Sequence, residues 1–248
     1  MINACRHCTI LRNKVVGYQE LTVPAGYSLY TVTFAGVDGG DLDIQSVRVI
    51  KDGAELATTA EVTIQGMTAG GAYDDDQYYN WRTRSGKTGW HKSSRYVSTE
   101  NGNAVKVGPS VAWCVNNQTS APVTFLISGS VQLTPVSNVI APGYGLYGNM
   151  TPNTINIQDI QVYNEDGSLN ADTALVTLQG MTTGGAYDDA QYYNWRTRSG
   201  KTGWHKSSRY ISADNGNDVS LAPGEAFCLN NQTTGNIVLK FTSPIAAE

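Results

Sequence analysis

Asp74, Asp75 and Asp76 stand in a row in the segment YDDDQYYNWRTRSGKTGWHKSSRY, residues 73–96, and consecutive carboxylates raise two chemistries, acid/base catalysis and calcium binding. Glycoside hydrolysis needs two carboxyl groups converging across a cleft. Neighbouring strand residues point to opposite faces, so this row supplies no such pair, and a second copy of the segment puts Ala190 where the first has Asp76. The sequence has no D-x-D-x-D-G loop closed by glutamate, which a calcium site of that kind requires. His91 and His205 lie beside no nucleophile motif such as G-x-S-x-G. At the N-terminus CRHC offers Cys5, His7 and Cys8, but no second ligand pair follows at zinc-finger spacing. A disulfide through Cys5 and Cys8, within the chain or to a neighbouring subunit, is the reading that fits an extracellular setting. These residues predict no enzyme, no cofactor and no metal.

Contact chemistry is what the segment does supply. Asp74, Asp75, Tyr78, Tyr79, Trp81, Arg82, Arg84, Trp90, His91 and Arg95 combine rings, cations and carboxylates. The second copy repeats them as Asp188, Asp189, Tyr192, Tyr193, Trp195, Arg196, Arg198, Trp204, His205 and Arg209. Three arrangements fit such a set. Rings packed on a sheet under Arg and Lys stems, with Asp74 or Asp75 paired to Arg82 or Arg95, make an internally satisfied surface. The same residue types dominate protein interfaces, and opposite charges side by side make a patch that recognises itself. Aromatic faces flanked by Asn and Asp also suit sugar rings, with avidity from two sites.

The elements that must position these residues are short strands. YTVTF, LDIQSVRVI, AEVTIQGM, QYYNWRTR and VAWCVNN are rich in β-branched and aromatic residues, and Gly, Asn, Asp and Pro separate them. No 12-residue stretch carries apolar residues at helical spacing. QYYNWRTR-SGKTG-WHKSSRY reads as a β-hairpin turning over Ser85 to Gly89, with Tyr79, Trp81 and Thr83 on one face and Tyr78, Asn80, Arg82 and Arg84 on the other. Rings and cations on each face predict partial exposure. Cys114 in AWCVNNQT and Cys228 in AFCLNNQT read as buried strand residues. The three Asn-x-Thr sequons, at Asn117, Asn149 and Asn231, read as turn chemistry.

Shifting the chain against itself by 114 residues superposes Trp81 on Trp195 and Cys114 on Cys228, while PAGYSLY matches APGYGLY at an offset of 117. From Thr63 to Tyr96, 31 of 34 positions are identical to Thr177–Tyr210, the exceptions being Ile64/Leu178, Ala69/Thr183 and Asp76/Ala190. From Val97 to Ser130 only 12 of 34 match Ile211–Pro244. A common binding surface or a recent gene conversion would each produce that contrast. The expected organisation is an arm at 1–16 and two tandem homologous all-β domains at 17–130 and 131–248, each a jelly-roll-like or Ig-like β-sandwich.

With 248 residues, 40% hydrophobic and 15% charged, and a net charge of −4, the chain lacks the positive field of a general nucleic-acid binder. No apolar run is long enough for a membrane-spanning helix, and MINACRHCTILRNK lacks the apolar stretch of a secretory signal. VVGYQELTVPAGYSLYTVTF, followed by LDIQSVRVI and echoed by IAPGYGLYGNMTPNTINIQDIQVYNEDG, resembles uncharacterised exported bacterial proteins built of tandem β-rich repeats. The resemblance implies export and an extracellular β-fold, and no activity. The expectation is therefore a structural protein, extracellular or at the cell surface, that assembles with copies of itself through strand edges and the aromatic/cationic hairpins. Its N-terminal arm would reach a neighbouring subunit as an added strand. A bivalent glycan-binding module is the alternative.

Overall fold

A computed structural model describes residues 9–11, 14–36, 39–57, 59–84, 86–92, 105–108, 111–131, 136–171, 174–198, 200–206 and 219–241. The sequence-derived sites Cys5, Cys8, Arg95 and Arg209 lie outside these residues. The described residues are all-β, with two single 3-10 turns at Ile44–Ser46 and Ile157–Asp159 and no α-helix.

The strands are, in the first half, β1 (Thr9–Leu11), β2 (Lys14–Val23), β3 (Gly26–Thr31), β4 (Phe34–Ala35), β5 (Leu42–Asp43), β6 (Val47–Lys51), β7 (Ala54–Glu55), β8 (Thr59–Met67), β9 (Tyr73–Arg84), β10 (Lys87–Lys92), β11 (Lys106–Val107), β12 (Ala112–Asn117) and β13 (Val123–Val131). The second half adds β14 (Val136–Ile140), β15 (Gly143–Gly148), β16 (Ile155–Asn156), β17 (Ile160–Asn164), β18 (Val176–Met181), β19 (Tyr187–Arg198), β20 (Lys201–Lys206), β21 (Ser220–Leu221), β22 (Ala226–Asn231) and β23 (Ile237–Phe241). They form four principal sheets, none with strands from both halves. Sheet 1 runs β1-β2-β13-β6-β7 with β4 on β13, and sheet 2 runs β10-β9-β8-β12-β3. Sheet 3 runs β15-β22-β18-β19-β20, the same order as sheet 2 read from the other edge, and sheet 4 runs β14-β23-β17. Two-stranded ribbons β5-β11 and β16-β21 complete each half. Within the arm, Thr9–Leu11 pairs with Val16–Lys14 of its own β2.

Three apolar clusters tie the sheets together. One takes Leu21, Phe125 and Ile127 from sheet 1 and Val62, Trp81, Trp90 and Trp113 from sheet 2. Its counterpart joins Trp195, Trp204 and Leu229 of sheet 3 to Ile160, Leu239 and Phe241 around sheet 4. The third joins the halves, with Leu29, Ala112 and Cys114 of sheet 2 against Leu146, Ala226 and Cys228 of sheet 3. This explains why AWCV is apolar without alternation. Strand β12 has a core on one face and the other half of the chain on the other, so both faces exclude water.

The sequons are clasps. Asn117 Nδ2 donates to Val23 O (3.2 Å) and Ala121 O (3.0 Å), while its Oδ1 accepts from Thr119 N (3.0 Å) and Thr119 Oγ1 (2.7 Å). Asn149 with Thr151 and Asn231 with Thr233 repeat the pattern, and all three asparagines are buried.

Candidate functional site

The doubled hairpin forms, with a tighter turn than the sequence indicates. Lys87, Thr88 and Gly89 already belong to β10, leaving two residues between Arg84 and Lys87, and Gly86 takes φ +75° there. The register puts Trp81 opposite Trp90, Tyr79 opposite Lys92 and Asn80 opposite His91. The expected partial exposure is corrected for the rings: Trp81 is 2% exposed and Trp90 0%, and Tyr79 and His91 are buried too. The rings meet edge to face with centroids 5.5 Å apart, and Trp90 packs likewise on Phe125 at 5.9 Å. Their indole N–H groups donate to Leu56 O and Val47 O, both at 2.8 Å. In the second copy Tyr193, Trp195, Trp204 and His205 are buried in the same way, and the indoles donate to Asn170 O (2.9 Å) and Ile160 O (2.8 Å). The alternation of faces was read correctly; the Trp face closes onto sheet 1, and Lys92 escapes at the strand's end.

A residue that the hairpin reading overlooked holds the outer strand. Gln45 Nε2 donates to Trp90 O (2.6 Å) while Gln45 Oε1 accepts from Trp90 N (3.0 Å), so one side-chain amide satisfies both backbone groups of an edge residue. Asp43 caps the short turn that aims it, accepting from Gln45 N at 2.9 Å. Gln158 and Asn156 do the same for Trp204. The paired LDIQ and INIQ strings were the available signal.

Among the described residues the acids bind locally rather than to Arg82, and the expected partner Arg95 lies outside those residues. Asp74 accepts from Asp76 N (2.9 Å) and Gln77 Nε2 (2.7 Å), and Asp75 from Gln65 Nε2 (3.1 Å). Asp188 and Asp189 repeat these contacts with Ala190, Gln191 and Gln179. Lys92 reaches Asp76 at 3.6 Å. Tyr78, Arg82, Tyr192 and Arg196 are half-buried on the face away from the core; Arg84 and Arg198 close β9 and β19 opposite Lys87 and Lys201.

The two halves of the chain meet just before the hairpin. Tyr27 N donates to Thr183 O (2.8 Å) and Tyr144 N to Ala69 O (2.9 Å); Tyr73 Oη donates to Gly185 O (3.1 Å) and Tyr187 Oη to Gly71 O (3.2 Å). Each bond has its counterpart with the halves exchanged, which is the signature of a two-fold, isologous contact. Gly26 (φ +91°) and Gly143 (φ +107°) permit the approach: a Cβ would stand 2.5 Å from Thr183 O and 2.6 Å from Ala69 O.

At the centre of this seam the two thiols meet the two methionines, Cys114 Sγ at 3.7 Å from Met181 Sδ and Cys228 Sγ at 3.6 Å from Met67 Sδ. Burial pushes both thiols up to about 11 from 9.0, and it raises the Tyr73 and Tyr187 phenols as well. A thiol whose folded pKa exceeds its unfolded value stabilises the fold fully below pH 9 and loses that contribution as pH rises through 11. Stability is therefore expected to fall over that window by on the order of 2 kcal/mol per thiol. Chemical denaturation from pH 8 to 11 checks this against a Cys114→Ala/Cys228→Ala variant, whose drop should be smaller by that amount, the raised phenols of Tyr73 and Tyr187 supplying a remainder above pH 10.

Beside the seam a cleft of 790 Å³ opens between the halves, with Tyr18, Gln19 and Tyr30 on one side and Asn153, Gln191 and Glu225 on the other. Gln19 bridges it, donating to Pro223 O at 3.4 Å while accepting from Thr33 Oγ1 at 2.7 Å. Its counterpart at the 117 offset is Val136, so this polar lining belongs to one copy only. Among the described residues no three His, Cys, Asp or Glu side chains gather into a metal-binding group, and no helix is long and apolar enough to cross a membrane. Comparison with protein-family models, curated proteins and solved structures finds no match for this chain.

Proposed function

We propose that this chain is a non-catalytic structural subunit, extracellular or at the cell surface, that joins copies of itself through open sheet edges. The observation that carries the reading is the unequal guarding of those edges. Sheet 1 ends in the short strands β1 and β7, which cover β2 and β6; in sheet 4 the segment at Leu169 covers β17, with Asn170 N donating to Val162 O at 2.9 Å, whereas β14, the counterpart of β2, is terminal among the described residues. Strand β14 exposes Val139 at 66%, and an uncharged, apolar edge strand is a template for another chain. The hairpin edges β10 and β20 instead carry lysines at both ends, the usual protection. Assembly therefore runs through β14, and not through the tryptophans.

The architecture in this reading is two β-sandwiches in tandem, supported by the separate clusters that join sheet 1 to sheet 2 and sheet 3 to sheet 4. The clusters link sheet 1 to sheet 2, sheet 2 to sheet 3 and sheet 3 to sheet 4, a succession that also suits four sheets set in a propeller-like ring.

Negative-stain microscopy and sedimentation of the full chain test assembly. Particles larger than one chain should form as concentration rises, and Val139→Lys, which places a charge on the bare edge, should suppress them. Monomers at every concentration, salt and pH would remove the proposal.

The glycan-binding alternative survives in altered form. Trp81 and Trp195 are 2% exposed and offer no stacking face. The cleft does combine two tyrosines with amides and carboxylates, the groups that hold sugar rings and hydroxyls. Specific binding on a glycan array that is lost with Tyr18→Ala would favour this reading.

A further inference from the structure

We propose that the seam binds a soft monovalent metal ion, copper(I) or silver(I), in each of two sites, one formed by Cys228, Met67 and Tyr187 and the other by Cys114, Met181 and Tyr73. The first site is defined by three separations. Cys228 Sγ lies 3.6 Å from Met67 Sδ and 3.8 Å from Tyr187 Oη, and Tyr187 Oη lies 3.8 Å from Met67 Sδ. The centre of a triangle with those sides is about 2.2 Å from each corner, within the range of metal–sulfur and metal–oxygen bonds. The second site repeats two of these separations, Cys114 Sγ to Met181 Sδ at 3.7 Å and Tyr73 Oη to Met181 Sδ at 3.7 Å.

The donor set chooses the metal. Thiolate and thioether sulfur select copper(I), whereas magnesium and calcium want the oxygen-rich surroundings that these residues do not provide. Charge balance points the same way. A thiol buried among Leu29, Leu146, Ala112 and Ala226 resists becoming a bare thiolate, but a thiolate bound to a monovalent cation is neutral as a pair. The proton that leaves the thiol goes to solvent. There is also a way in: Met67 and Met181 are half-buried and Tyr73 and Tyr187 are 38% and 39% exposed, so the sulfur atoms lie one layer beneath the surface. Each site takes its cysteine from one half of the chain and its methionine from the other, so a bound ion would bridge the halves.

Cys5 and Cys8 could bind the same metals, so the test uses the full chain carrying Cys5→Ser and Cys8→Ser. Copper(I) is titrated anaerobically in competition with a chromophoric chelator, and the copper environment is measured by X-ray absorption. The expected result is two equivalents with sulfur at about 2.2–2.3 Å. Met67→Leu and Met181→Leu, near-isosteric changes that circular dichroism should show to be folded, should each remove one equivalent. Absence of binding, a single equivalent, or two equivalents unaffected by the double Met→Leu change would overturn the proposal.

Discussion

Trp90→Ala should lower the stability of the first half by about 3–5 kcal/mol, the range for deleting a large aromatic side chain from a packed core. Trp90 is completely buried, touches both Trp81 and Phe125, and donates its indole hydrogen to Val47 O across to the facing sheet. Alanine leaves a cavity where three rings met and orphans a carbonyl that has lost its water. Trp204→Ala should have a matching effect in the second half. The two changes should add, because they lie in separate clusters with no shared contact. Urea denaturation of the single and double variants measures this. A loss under 1 kcal/mol for either would mean the indoles are not packed as described.

Gly26→Ala together with Gly143→Ala should open the seam without unfolding either half. At each position alanine meets two obstacles: a left-handed φ that side chains disfavour, and a carbonyl oxygen closer than any Cβ tolerates. Relief requires the backbone to withdraw, which breaks the Tyr27–Thr183 and Tyr144–Ala69 bonds together. If withdrawal costs the seam about 3 kcal/mol, Cys114 and Cys228 should become about a hundredfold more reactive toward a thiol reagent. Gly86→Ala is the control: Gly86 also has positive φ, but a Cβ there meets nothing within 4 Å. It should destabilise the hairpin and leave the thiols protected. Unchanged thiol reactivity in the double variant would show that the glycines are not what lets the halves approach.

Much of the fold was legible because β-strands announce themselves through alternation and turn residues, and because a repeat announces itself by superposition. The hairpin and its cross-strand faces could be read from QYYNWRTR and WHKSSRY. Depth could not. A tryptophan flanked by arginine and lysine looks like surface, and only the facing strands of sheet 1 reveal that its face is covered, while Arg82 lies on the opposite face and Lys92 at the strand's end. The turn was placed too long because Lys-Thr-Gly resembles loop chemistry, although Thr83 and Thr88 pair their hydroxyls at 2.7 Å. Seam and cleft depend on how two halves meet, which no local pattern encodes. One trace was present. Ala69 and Thr183, one of the three exceptions to identity in the doubled segment, meet the facing half through their carbonyl oxygens, where the side chain is free to differ. The seam contacts fall within residues 65–73 and 179–187; beyond them the repeated stretch runs into the two cores.

The asparagine clasps turn the chain into a clock. Were it made where oligosaccharides are attached to Asn-x-Thr, the unfolded polymer would offer three acceptor amides, and the finished protein would hide all three. Sugar at Asn117, Asn149 or Asn231 would then report how long each turn stayed open after synthesis, and a clasp so tagged could not close.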